Sequence, residues 1–191
     1  MFAQTFMALA YELVLDQYDN RPGDKLLDTH TAMARVAHEF APGRVVDFVE
    51  MFMATSSPES LLNGLPLNAD QSMIRNEVDG TFTTNLGPKL GATLKARTVY
   101  TKFRNATLGR SLDRVENLYG ASADYAVLPE FKVVGEVRRQ DVYYRKVGEL
   151  KNKSSDFVMG GVDYAVAKKL TATGRAGVEF RHRAAERRDR K

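Results

Sequence analysis

The chain of 191 residues contains no cysteine. That excludes a disulfide framework and any thiolate metal site, while leaving the compartment open. Long apolar runs are also missing. No stretch approaches the ~18 consecutive apolar residues of a membrane helix, and the mean hydropathy is −0.36. A helical membrane protein is thereby excluded. A membrane β-barrel is not, because its strands alternate and never look hydrophobic on average. The first basic residue is Arg21, so the charged start of a secretory leader is absent. Basic excess is scarce outside one end. Lys and Arg number 28 against 24 Asp and Glu, a formal net charge of +4. Arg181 to Lys191, with six basic and two acidic side chains, carries all of it. The pI near 9.3 therefore describes a tail, and a nucleic-acid surface, which spreads basic charge over a face, is not expected. Catalytic signatures are lacking too. His30, His38 and His182 are dispersed, and no His-Glu-x-x-His, Gly-x-Ser-x-Gly or phosphate loop occurs. Neither an enzyme nor a cofactor is expected.

What the chain has instead is period-2 alternation. From Leu170 to Arg183 one parity reads Leu170, Ala172, Gly174, Ala176, Val178, Phe180, without a charge. The other reads Thr171, Thr173, Arg175, Gly177, Glu179, Arg181, Arg183. A strand sends alternate side chains to opposite faces, so one face is apolar and the other charged. The pattern recurs upstream. Leu90, Ala92, Leu94, Ala96 and Tyr100 oppose Thr93, Lys95 and Arg97. Ile74, Val78, Gly80 and Phe82 oppose Arg75, Glu77, Asp79 and Thr81. Val115, Tyr119, Ala121 and Tyr125 oppose Arg114, Glu116 and Asp124.

Connections alternate in length. Short ones fall at Ala41–Arg44, Gly87–Lys89, Leu128–Glu130 and 166–169; longer polar ones cover about 19–28, 56–72, 104–113 and 145–156. These boundaries give nine strands, at about 3–17, 29–40, 45–55, 73–86, 90–103, 112–126, 131–144, 156–165 and 170–183. A three-residue loop at Gly87–Lys89 sets Leu86 opposite Leu90 and Asp79 opposite Arg97, matching opposite charges. Across Pro129, Tyr125 opposite Phe131 sets Asp124 opposite Lys132. Two strands stay open. Phe2 to Leu15 is apolar on nearly every side, as a helix also would be, and the strand at 45–55 carries Asp47 and Glu50 on opposite parities.

Either a soluble core or lipid can take the apolar face. Soluble strands are typically ~5–6 residues long, whereas a membrane strand needs about 9–11. Several strands here run well past ten. Aromatics gather at the strand ends: Phe40, Tyr125, Phe131 and Tyr164 beside short turns, and Tyr18, Phe52, Tyr100, Phe103, Tyr143, Tyr144, Phe157 and Phe180 beside long loops. Two girdles with short turns on one side and long loops on the other suit an outer-membrane barrel.

A resemblance adds to this reading. Ala123-Asp124-Tyr125-Ala126-Val127-Leu128-Pro129-Glu130 leads into Gly135-Glu136-Val137-Arg138 and Gln140-Asp141-Val142-Tyr143-Tyr144. Gly161-Val162-Asp163-Tyr164-Ala165 and Thr171 to Arg181 follow. Together these runs resemble the porin-like outer-membrane β-barrel proteins of Gram-negative bacteria, best from Arg75 to Arg183. The likeness rests on a strand idiom. It implies an all-β, antiparallel up-and-down meander of about nine long strands from a transmembrane barrel in the outer membrane. It further implies a passive channel for small hydrophilic solutes, or part of an envelope export system handling polysaccharide. The competing expectation is a soluble antiparallel sheet with a binding or structural role. The missing leader, the odd strand count and an end at Arg190-Lys191 without a terminal aromatic strand point to a fragment of a longer barrel.

With the apolar parity toward lipid, the lumen is lined by Arg75, Glu77, Asp79, Lys95, Arg97, Arg114, Glu116, Glu136, Arg138, Arg175, Glu179 and Arg181, together with Asp124, Lys132 and Arg183. The aromatic girdle comprises Phe40, Tyr100, Tyr125, Phe131, Tyr143, Tyr164 and Phe180. Taken singly, the charges are wall ion pairs, Asp79 with Arg97 and Glu179 near Arg175 and Arg183. Taken together, they are a polar interior with a slight basic excess, which favours anions. Arg139 falls on the lipid parity, near the long-loop end, where it can snorkel to headgroups. Residues 1–183 form one partial barrel domain. Residues 184–191 form a basic tail beginning a truncated loop, either solvated or set against lipopolysaccharide phosphates.

Overall fold

The structure is a computed structural model that describes residues 4–19, 26–56, 71–145, 151–167 and 170–183. The tail 184–191 and most of the loop 56–72 lie outside the described residues. Nine strands follow one another: β1 (Gln4–Gln17), β2 (Leu26–Ala41), β3 (Arg44–Thr55), β4 (Met73–Asn85), β5 (Leu90–Phe103), β6 (Arg114–Leu128), β7 (Phe131–Tyr144), β8 (Lys153–Ala167) and β9 (Leu170–Arg183). They make a single sheet in the order β1 to β9, every neighbour antiparallel. This is the expected up-and-down meander, with boundaries within a few residues of those read from the alternation. The ladder is open: among the described residues, β1 pairs only with β2 and β9 only with β8.

The N-terminal segment is a strand. Gln4 to Gln17 pairs residue by residue with β2, from Gln4 opposite Glu39 to Gln17 opposite Leu26. Its apolar composition gave no periodic signal, so the choice between helix and strand was made by pairing with the alternating β2. The segment expected to be a plain loop at 104–113 contains a short helix, α1 (Ala106–Leu112). Asn105 caps it, its side-chain oxygen accepting from Thr107 N–H at 2.9 Å and Leu108 N–H at 3.3 Å. Among the described residues, no helix is long and apolar enough to cross a membrane, which bears on helices only.

The short turns do what their residues dictate. Pro42-Gly43 joins β2 to β3, with Ala41 paired to Arg44 and Gly43 at φ 70°. That left-handed conformation suits glycine, and a Cβ there would run into the Asn85 amide. In the β4–β5 hairpin the expected register holds throughout, including Asp79 opposite Arg97. Across Pro129 it does not. Leu128 pairs with Phe131 around a two-residue turn, a bulge follows between Ala126 and Leu128, and Tyr125 lies opposite Val133. The register is two residues from the expected one. Because side chains repeat every two residues, every side chain keeps its face.

One face of the sheet is sheltered. Apart from Asp141, the buried strand residues Leu27, Thr55, Met73, Val99, Thr101, Phe103, Val134, Val142 and Ser155 lie on the charged parity. Val99 is 6% exposed, Thr101 3% and Val142 3%. Apart from α1 beside β5, no second layer covers that face among the described residues. A single sheet shields one face when it curls around it, so the charged face is concave. Except for Val134, these buried residues form a collar at the long-loop end. The convex face carries large exposed apolar side chains, such as Met7 at 72% and Leu9 at 87%.

Candidate functional site: the charged concave face

The pairing assigns each side chain to a face, since Cα partners share one. All twelve residues expected to line a lumen fall on the concave face. Asp124 and Lys132 join them, as does the backbone position of Arg183. So do Glu12, Asp16, Arg35, Glu39, Asp47 and Asp163, which the sequence reading did not assign to a lumen. These additions are mostly acidic and offset the basic excess expected from the shorter set.

The concave charges are organised as pairs, commonly two residues apart on one strand. Arg75 Nη2 lies 2.8 Å from Glu77 Oε2, and Arg114 Nε lies 2.6 Å from Glu116 Oε1. Arg138 Nε is 3.0 Å from Glu136, and Arg181 Nη2 is 2.9 Å from Glu179. Residues i and i+2 of a strand share a face about 7 Å apart, a gap a long arginine side chain spans easily. Other pairs cross strands. Arg97 Nε donates to Asp79 Oδ1 at 2.6 Å and also lies 3.4 Å from Glu77. Arg35 grips Asp47 with two bonds of 3.0 and 2.6 Å. Glu179 therefore takes Arg181 rather than Arg175, which turns to Asp163 at 2.7 Å. Asp124 and Lys132 are diagonal instead of opposite, yet the long lysine still brings its Nζ to 3.3 Å.

All seven girdle residues lie on the convex parity. Near the short turns Phe131 and Tyr164 meet at 6.5 Å between ring centroids. Phe40 stacks on Phe82 at 6.1 Å, adding a residue the sequence reading placed only on the apolar face. At the long-loop end Arg145 lies over Tyr100, 5.0 Å from its centroid. Phe103, Tyr144 and Phe157 depart from the expectation, because their parity is concave. Phe103 packs into the collar, and Phe157 receives the Arg138 guanidinium at 5.8 Å.

The third strand, which sequence could not orient, has Asp47 concave and Glu50 convex. Asn76, on the same convex row, donates to Glu50 at 2.9 Å. Arg139 is convex as expected and pairs with Asp141 at 3.1 Å and Asp156 at 3.5 Å. These groups, with Asn76, Asn117 and Tyr143, form a polar rim where the apolar rows end. Among the described residues, no group of three His, Asp or Glu side chains could hold a metal ion.

The concave face thus carries mostly paired charges and hydroxyls, with apolar side chains such as Phe6 and Met33 on β1 and β2, while the convex face is an apolar band bounded by aromatics. No family model matches the sequence, and no curated protein matches it. Among solved structures, the chain is similar to a KdgM porin in complex with disordered oligogalacturonate, over 95% of each chain, at 11% identity and a TM-score of 0.45.

Proposed function

We propose that the sheet is the wall of an outer-membrane channel, its convex face in lipid and its concave face lining a passage for small hydrophilic solutes. One observation carries this reading. Nearly all the large exposed apolar side chains lie on the convex face of a single sheet while most charges gather on the sheltered one, the reverse of a soluble sheet. Dimensions support it. The uncharged parity of β9 runs from Leu170 to Phe180, about 33 Å at ~3.3 Å per residue, which a ~40° tilt projects to about 25 Å. That is the height of the apolar band of outer-membrane barrels. Residues 1–183 then act as one barrel wall whose partners are lipid and, at the long-loop rim, lipopolysaccharide. The concave face offers a polar lining with no catalytic constellation among the described residues, which favours passage over turnover.

Planar-bilayer recording tests the proposal. Protein purified in detergent should give discrete open-channel current steps. A chain that is monomeric and stable in buffer without detergent would overturn the membrane reading, and a detergent-dependent but silent barrel would overturn the channel.

A further inference from the structure

The concave charges are not equivalent, and the difference falls on one residue. Arg35, Arg75, Arg97, Arg114, Lys132, Arg138, Arg175 and Arg181 each hold a carboxylate within 3.3 Å. Lys153, at the rim of β8, is within electrostatic reach of Glu179. Lys95, in the middle of β5, has no acidic partner among the described residues, and its side chain is exposed. Directly opposite it are Thr81 on β4 and Gly120 on β6, neither of which carries charge, and the diagonal Asp79 is taken by Arg97 at 2.6 Å. Along its own strand stand Thr93 and Arg97, the latter held by Asp79. Thr83 and Ser122 flank Thr93.

Lys95 is therefore an ammonium bordered by the hydroxyls of Thr81 and Thr93, outside the collar and separated from its β5 member Val99 by Arg97. The concave acids without a cation partner among the described residues, Glu12 and Asp16 on the edge strand β1 and Glu39 on β2, lie four and three strands away. A paired Arg–carboxylate presents a dipole whose field falls off quickly. A lone ammonium presents a monopole, and a narrow passage with low-dielectric walls focuses it. We infer that Lys95 is the residue that sets ion preference in the passage, a binding point for small anions to which the Thr81 and Thr93 hydroxyls can donate. This rests on the channel reading above.

The reversal potential of the full chain in planar bilayers, under a KCl gradient, tests it. The unaltered chain should favour chloride. Lys95→Gln should move the potential toward cation preference, and Lys95→Glu about twice as far, because it changes the charge by two instead of one. Lys95→Arg should keep the original value. The double variant Asp79→Asn with Arg97→Gln, which removes a neutral pair, should leave it in place. Current steps in each variant certify folding. If the Lys95 variants conduct with an unchanged potential, or the neutral-pair variant shifts it equally, the assignment of Lys95 falls and the channel stands. An unaltered chain that never conducts overturns both.

Discussion

Asp113 illustrates what a single residue contributes. Its carboxylate accepts the Phe103 N–H at 2.8 Å, its own N–H donates to Gly109 O at 3.1 Å, and its carbonyl accepts the Arg145 N–H at 3.1 Å. One residue thus ties β5, α1 and the end of β7 together while being only 5% exposed. Gly109 makes this possible, since a Cβ there would press against the Asp113 carboxylate at about 3.0 Å. Asp113→Ala would leave the buried Phe103 N–H without its acceptor, costing about 1–3 kcal/mol. Asp113→Asn, which keeps an acceptor oxygen, should cost less. Urea unfolding of the chain folded into lipid vesicles measures both, and equal losses would mean that the hydrogen bond is not what matters. Nothing in the alternation marks Asp113, because its role comes from a helix cap and two strand ends meeting in space. The Asp79–Arg97 pair was legible for the opposite reason: a tight hairpin with a short loop fixes register from the turn outward.

Elements show how far alternation reaches. Where a strand keeps its charges to one parity, as β4 and β9 do and β5 does up to Lys102 at its end, its faces follow from sequence. In β3 they do not, since Asp47 and Glu50 oppose each other. Only the partners decide, Arg35 gripping Asp47 on one side and Asn76 meeting Glu50 on the other. Adjacent residues of β5 offer a direct test of which face meets lipid. Leu94 is convex and 54% exposed, while Thr93 is concave. In a lipid-facing wall, Leu94→Arg should destabilise by about 2–4 kcal/mol near the bilayer midplane, and Thr93→Arg should be nearly neutral. In a soluble sheet an exposed Leu94→Arg costs little. Equilibrium unfolding in vesicles separates the two, and a silent Leu94→Arg would count against the membrane.

At the scale of the whole molecule, the open ladder and the alternating connections matter most. Nine up-and-down strands make β1 and β9 run in the same direction, and each has an edge left unpaired among the described residues. Lipid does not tolerate such an edge, so a membrane wall needs it covered. The meander also puts the turns around Pro42, Lys89 and Pro129 at one end and α1 at the other. Single cysteines at Lys89 and Thr107 should accordingly react with an impermeant thiol reagent from opposite sides of the membrane. The chain's lack of native cysteine makes that labelling clean. Labelling of both from one side would overturn the transmembrane orientation.

Absent apolar runs and a two-faced period of two were enough to determine an antiparallel meander, the positions of its turns, and the faces of the strands whose charges keep to one parity. Those are local properties: a strand's parity is fixed by its own covalent geometry. Three things were decided only by tertiary structure. The apolar N-terminal segment became a strand because β2 offered it a ladder. The charges on the concave face found partners set by side-chain reach, which left Lys95 without one among the described residues. The helix at 106–112 and its buried Asp113 formed where two strand ends converge, a meeting that no pattern within either strand encodes.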